Sequence, residues 1–240
     1  MTQVRPQARS KHDLDDAAIV ETVDRLARRI RERFPNAGLN DVAAELLAVA
    51  QQARVRAAAI RRPNWPLRIV IGLFIAALVA FALYGLWAIG VEIPRRPVEP
   101  IEMLSAIEAA INDVVLIGAA IFFLITLETR IKRARALDAL HELRSLAHII
   151  DMHQLTKDPA SLLQSGPQTA SSPKRTMTAF ELSRYLDYCV EMLSLCGKIA
   201  SLYVEGFTDG VALGTVNEIE QLTTGLSRKI WQKLMLLQRT

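Results

Sequence analysis

Between Ile69 and Val91 the chain reads IVIGLFIAALVAFALYGLWAIGV, without one charged side chain. As a helix, rising about 1.5 Å per residue, such a run matches a bilayer core roughly 30 Å thick. The segment from about 67 to 91 is therefore expected to be a transmembrane helix. A hydrophobic share of 51% over 240 residues is high for a soluble chain and fits that expectation. A second apolar stretch, Met103 to Leu127, is interrupted by Glu108, Asn112 and Asp113 but runs unbroken from Val114 to Leu127. It is read as a second span, about 104–127, because the segment VVLIGAAIFFLITL would otherwise lack a partner of its own kind. Counting back about 20 residues from Leu127 puts Asp113 little more than one turn inside the outer interface.

Basic residues orient this hairpin. Arg54, Arg56, Arg61, Arg62 and Arg68 lead into or open the first helix, and Arg130, Lys132, Arg133 and Arg135 follow the second. The connecting loop, about 92–103, holds only Arg95 and Arg96, so both termini are expected in the cytoplasm. Trp65 and Trp87 sit where interfacial anchors belong. Arg61, Arg62, Arg130, Lys132, Arg133 and Arg135 are the candidate contacts to anionic lipid headgroups. Pro94, Pro97 and Pro100 make the outer loop a stiff connection. MTQVRPQARSKH leads into acidic residues instead of an apolar run, so no secretory signal is expected. Gly72, Ala76 and Ala80 form a stripe that permits close helix approach, to the second helix or to another copy.

The remaining segments read as an all-α cytoplasmic bundle. Residues 1–64 form an N-terminal arm, with one amphipathic helix over Leu14–Arg33 and another from Asp41 to about Arg61, N-capped by Asn40. Residues 65–128 form the hairpin, and 129–155 continue its second helix, with a seam at Ala136, Leu140, Leu143, Ala147 and Ile150. A Ser-, Pro- and Gly-rich linker spans 156–177. Residues 178–240 hold two helices. Thr178 and Glu181 make a capping box for the first, in which Leu182, Leu186, Cys189, Leu193, Cys196, Ala200, Tyr203 and Phe207 alternate four and three. The second starts between Asp209 and Val216 and turns Ile219, Leu222, Leu226, Ile230, Leu234 and Leu237 to one side. This shared rhythm implies a bundle or coiled coil, closed in one chain or completed by a second copy.

Chemistry-bearing residues are few. His141, His148 and Asp151 are metal candidates, but His141 and His148 differ by about 20° of rotation and lie roughly 10 Å apart along a helix, too far to share an ion alone. The competing reading is a polar ridge of His141, Arg144, His148 and Asp151 opposite the leucine seam, while His153 points elsewhere. Cys189 and Cys196, seven apart on one helix, cannot bridge each other and suit core packing in a reducing compartment. Gly206, Gly210 and Gly214 lack the Lys-Ser/Thr of a phosphate loop, and no serine sits in a nucleophile elbow. A net charge of +4 reflects basic membrane flanks; nothing resembles a nucleic-acid-binding motif. No cofactor and no catalytic residue is expected.

The stretches HELRSLAHIIDMHQLTKDP, His141 to Pro159, and LTTGLSRKIWQKLMLL, Leu222 to Leu237, resemble a family of uncharacterised bacterial inner-membrane proteins. That resemblance implies a location and brings no functional residue with it. The sequence thus predicts a non-enzymatic, membrane-anchored scaffold or signalling module. Its partners would be the bilayer and another copy or another membrane or cytoplasmic protein. Two other readings stand beside it: an accessory subunit or small oligomeric transporter using Asp113, and a metal- or ligand-binding domain centred on His148 and Asp151.

Overall fold

The computed structural model describes residues 14–92, 100–157, 159, 170 and 177–237. Among these the chain is helical and has no strand: α1 is Asp16–Arg33, α2 Leu39–Arg61, α3 Trp65–Glu92, α4 Pro100–Leu155, α5 Ala179–Leu202 and α6 Gly210–Leu237. The terminal segments, the outer loop at 93–99 and most of the 156–177 linker lie outside the described residues. The chain divides into two compact units, residues 63–132 and the remainder. Helix α4 contributes to both.

Local chemistry sets most boundaries. Asp15 caps α1 by accepting from the amides of Ala17 and Ala18 at 3.0 and 3.3 Å. The helix stops before Pro35, which has no amide to donate and forces its predecessor out of helical geometry. Asn40 is not the N-cap of α2. That helix opens at Leu39 after Gly38, and the Asn40 side-chain amide donates instead to the carbonyls of Phe34 and Pro35, at 2.6 and 3.1 Å. The Phe34 carbonyl also accepts from the Ala37 amide at 3.1 Å, so backbone and side chain close the turn together. The Thr178 and Glu181 capping box opens α5. Phe207, placed in the α5 repeat by its spacing, lies outside the helix; α5 ends at Leu202 and the chain turns through Gly206, whose φ of +74° suits glycine. Asp209 then accepts from the amides of Val211 and Ala212 at the start of α6.

The bundle unit is built around α5. Leu182, Leu186, Cys189, Leu193, Cys196 and Ala200 are buried, and so are Tyr185, Tyr188, Met192, Leu195 and Ile199 between them. A helix apolar on almost every side belongs at the centre of a bundle, whereas a two-stranded supercoil needs only one seam. Helices α1, α2 and α6 pack directly on α5, and α1 also packs on α2. The second part of α4 turns Leu140, Leu143 and Ile150 into the same core. It is fastened to α2 by Arg56 and Glu142 at 2.8 Å, and to α6 by Arg144 and Glu218 at 3.1 Å. On α6, Leu226 and Ile230 are buried, with Leu222 partly so.

In the other unit, α3 and the first part of α4 are exposed on most sides. The most apolar windows in the two stretches have mean hydropathies of 2.4 and 2.3, and none of either window is buried. Gly72, Ala76 and Ala80 lie on the exposed side, and a methyl added to Gly72 would meet nothing within 4 Å. The small-residue stripe is therefore not used within this chain.

Leu193 has no exposed surface, so Leu193→Ala should destabilise the bundle by about 2–5 kcal/mol, with the neighbouring exposed Ser194→Ala within about 0.5 kcal/mol of the parent. Denaturant titration of the detergent-solubilised protein, followed by circular dichroism, measures both.

Candidate functional site

The densest polar cluster of the apolar unit surrounds Glu128, one residue beyond the second apolar run. Its side chain is only 13% exposed. One carboxylate oxygen accepts from the Asn64 amide at 3.1 Å and from Lys132 Nζ at 3.0 Å, and the other accepts from Arg68 Nε at 2.6 Å. The Asn64 amide belongs to the residue just before α3, so a carboxylate on α4 satisfies the opening of α3. The Arg68 hydrogen bond is the main cause that holds the Glu128 carboxyl down at about 2, against the opposing effect of burial. Sequence reasoning passed over Glu128 as an ordinary flank residue. The signal that could have found it is a lone acid directly after an apolar run, with Lys132 one helical turn on.

The headgroup candidates divide into two sets. Arg61 pairs with Glu205 at 3.3 Å, Lys132 with Glu128, and Arg133 grips Asp209 through Nη2 at 2.7 Å and Nε at 2.9 Å. Asp209 is 4% exposed; burial raises its pKa, yet the Arg133 fork and the amides of Ala212 and Val211 hold it below the usual value. Arg62, Arg130 and Arg135 are exposed and have no carboxylate partner among the described residues. The Arg130 guanidinium lies 5.1 Å from the Phe123 ring centroid. Trp65 and Trp87 are both exposed.

The polar ridge of α4 is only partly a solvent face. His141 and His148 point outward, whereas Arg144 reaches Glu218 and Asp151 accepts from Gln154 Nε2 at 2.6 Å. Gln154 is buried and accepts in turn from Lys233 Nζ at 2.7 Å, which ties Asp151 into an α4–α6 network. No three His, Cys, Asp or Glu side chains among the described residues converge on a metal-sized site. Glu108, Asn112 and Asp113 are exposed along α4. Burial pushes the thiols of Cys189 and Cys196 up to about 12, which removes the thiolate that redox chemistry needs. No family model, curated protein or solved structure matches this chain.

Glu128→Ala should accelerate amide hydrogen exchange at residues 64–68 at least tenfold, because the Asn64 amide loses its acceptor, while the exposed Glu108→Ala leaves that segment unchanged. Exchange followed by mass spectrometry reads the difference. The two thiols should resist a disulfide reagent such as dithionitrobenzoate in the folded protein and react once denaturant opens the bundle.

Proposed function

We propose that this protein is a non-enzymatic helical module anchored in a bacterial inner membrane. The hairpin crosses the bilayer twice, both termini lie in the cytoplasm, and the bundle is offered to a partner protein. One observation carries the reading: among the described residues, not one residue of the two most apolar windows is buried. A soluble protein hides such helices, and burying one exposed Leu or Phe would gain about 1.5–3 kcal/mol. Leu73, Phe74, Phe81, Leu83, Val114, Leu116 and Phe122 all remain on the surface of their unit, where hydrocarbon is the solvent that suits them. The chain passes between the units near Arg62 and Lys132, each within a basic stretch, which supports placing both passages on the cytoplasmic side.

The bundle supports binding over chemistry. The seam residues that could have recruited a second copy, among them Leu186, Leu193 and Cys196, are consumed in the core of a single chain. Partner recognition then falls to the outer faces of the bundle, and contact between copies falls to the hairpin.

The topology has a direct test. The chain should stay in the membrane pellet after alkaline carbonate washing, alkaline phosphatase fused after Thr240 should be inactive, and phosphatase inserted at 93–99 should be active. Release by carbonate, or an active phosphatase after Thr240, overturns the proposal. Val79→Arg places a charge near the middle of the first span, at a cost of roughly 2.5–3.5 kcal/mol, and should reduce insertion in a glycosylation-based translocation assay.

A further inference from the structure

At the end of the bundle away from Arg62 and Arg133, the α1–α2 turn, the end of α4 and the start of α5 enclose an open groove of about 770 Å³. That is the volume of a pocket for a small organic molecule. Its walls divide by chemistry. One part is apolar: Phe34 and Tyr185 meet edge to face, with ring centroids 5.6 Å apart, and Met152 extends beside them. The other part is polar, made by the cationic side chains of Arg33 and Lys157 and the imidazole of His153.

Aromatic side chains hold the two cations in place. Arg33 Nε donates to the Tyr188 hydroxyl at 3.2 Å and its guanidinium lies over the Phe180 ring, and Lys157 Nζ sits 5.2 Å from the centroid of Tyr185. His153 lies flat against Gly38, where an added Cβ would come within 2.9 Å of Cε1. Among the described residues none of the three pairs with a carboxylate. The acid in the groove wall, Glu181, already accepts from the amide and hydroxyl of Thr178 in the α5 capping box. Near the chain passages the pattern is mixed: Arg61 and Arg133 are each matched to an acid, whereas Arg62 and Arg135 have no carboxylate partner among the described residues. The opening of α2 at Gly38, which has no side-chain cap, adds the positive end of a helix dipole to the same wall.

From this arrangement we propose that the groove binds a small organic anion: a phosphate, sulfonate or carboxylate held by Arg33 and Lys157, with an apolar, ring-sized body set against the exposed Met152 at the edge of the buried Phe34 and Tyr185 pair. The site lies wholly within the bundle unit and does not depend on the membrane assignment. A ligand there touches the end of α1, the α1–α2 turn, the end of α4 and the start of α5 together.

The experiment uses the full chain in phosphatidylcholine nanodiscs and 1-naphthyl phosphate as probe, by isothermal titration calorimetry with empty nanodiscs as blank. One saturable site per chain is expected, with inorganic phosphate at least tenfold weaker. Lys157→Glu should weaken the probe at least tenfold, and Arg33→Glu likewise, while the exposed Lys229→Glu leaves it unchanged. Lys157 lies beyond the last residue of α4, so its variant tests the site even if Arg33→Glu disturbs folding, which circular dichroism reports. Absence of saturable binding, equal affinity for inorganic phosphate, or undiminished binding in Lys157→Glu overturns the proposal.

Discussion

Water and hydrocarbon ask opposite things of a helix surface, and α4 answers both within one run of backbone hydrogen bonds. From Val114 to Leu127 its side chains are apolar and open, and from Ala136 onward they alternate between a buried seam and charged outer positions. Between these regimes the carboxylates matter most. A cation close to a low-dielectric slab is costly unless a counter-charge is already in place. Each unit supplies its own: Glu128 takes Arg68 and Lys132 in one, and Asp209 and Glu205 take Arg133 and Arg61 in the other. Most of the basic residues that flank the two apolar stretches are thus matched to an acid inside their own unit.

Pairing has a second consequence at the same place. Asp209 caps α6 while it holds Arg133, and Glu205 accepts from the Leu14 amide ahead of α1 while it holds Arg61. One side chain therefore satisfies both a backbone end and a distant cation. Removing Asp209 would break the Arg133 pair and leave the buried Ala212 amide without its acceptor, a loss that exceeds that of an exposed ion pair worth about 0–1 kcal/mol.

Much of this architecture was legible because helices announce themselves through period and caps. Asp15, Thr178 and Pro35 act within a few residues of themselves, and local spacing reveals them. The misreadings share a different cause. Asn40 had a better use across a turn, and Phe207 continued an arithmetic that Gly206 had already broken. The α5 repeat was read as a seam because only its strictest positions were counted. Tyr185, Met192 and Ile199, between them, show that the helix is enclosed. Glu128 could not be found by period at all, since its donors come from residues about 60 positions earlier and from the next turn. The His and Asp cluster looked promising in one dimension, but packing gives Asp151 to Gln154 and leaves the histidines facing outward.

What the fold uses and what it leaves over are distributed unevenly along the bundle. Near the chain passages Arg61 and Arg133 are spent on acids, whereas Arg33 and Lys157 at the far end rest on aromatic rings. Stability gives no reason for that difference, because an acid in place of Met152 or Ala37 would be an easy substitution on an open surface. Leaving like charges together costs free energy, modestly, through their mutual repulsion. A site that accepts such a cost recovers it when an anion arrives, and the aromatic supports hold the cations in position without cancelling them. The end of the bundle formed by the α1–α2 turn, the end of α4 and the start of α5 is, for that reason, the end where the proposed anion would be held.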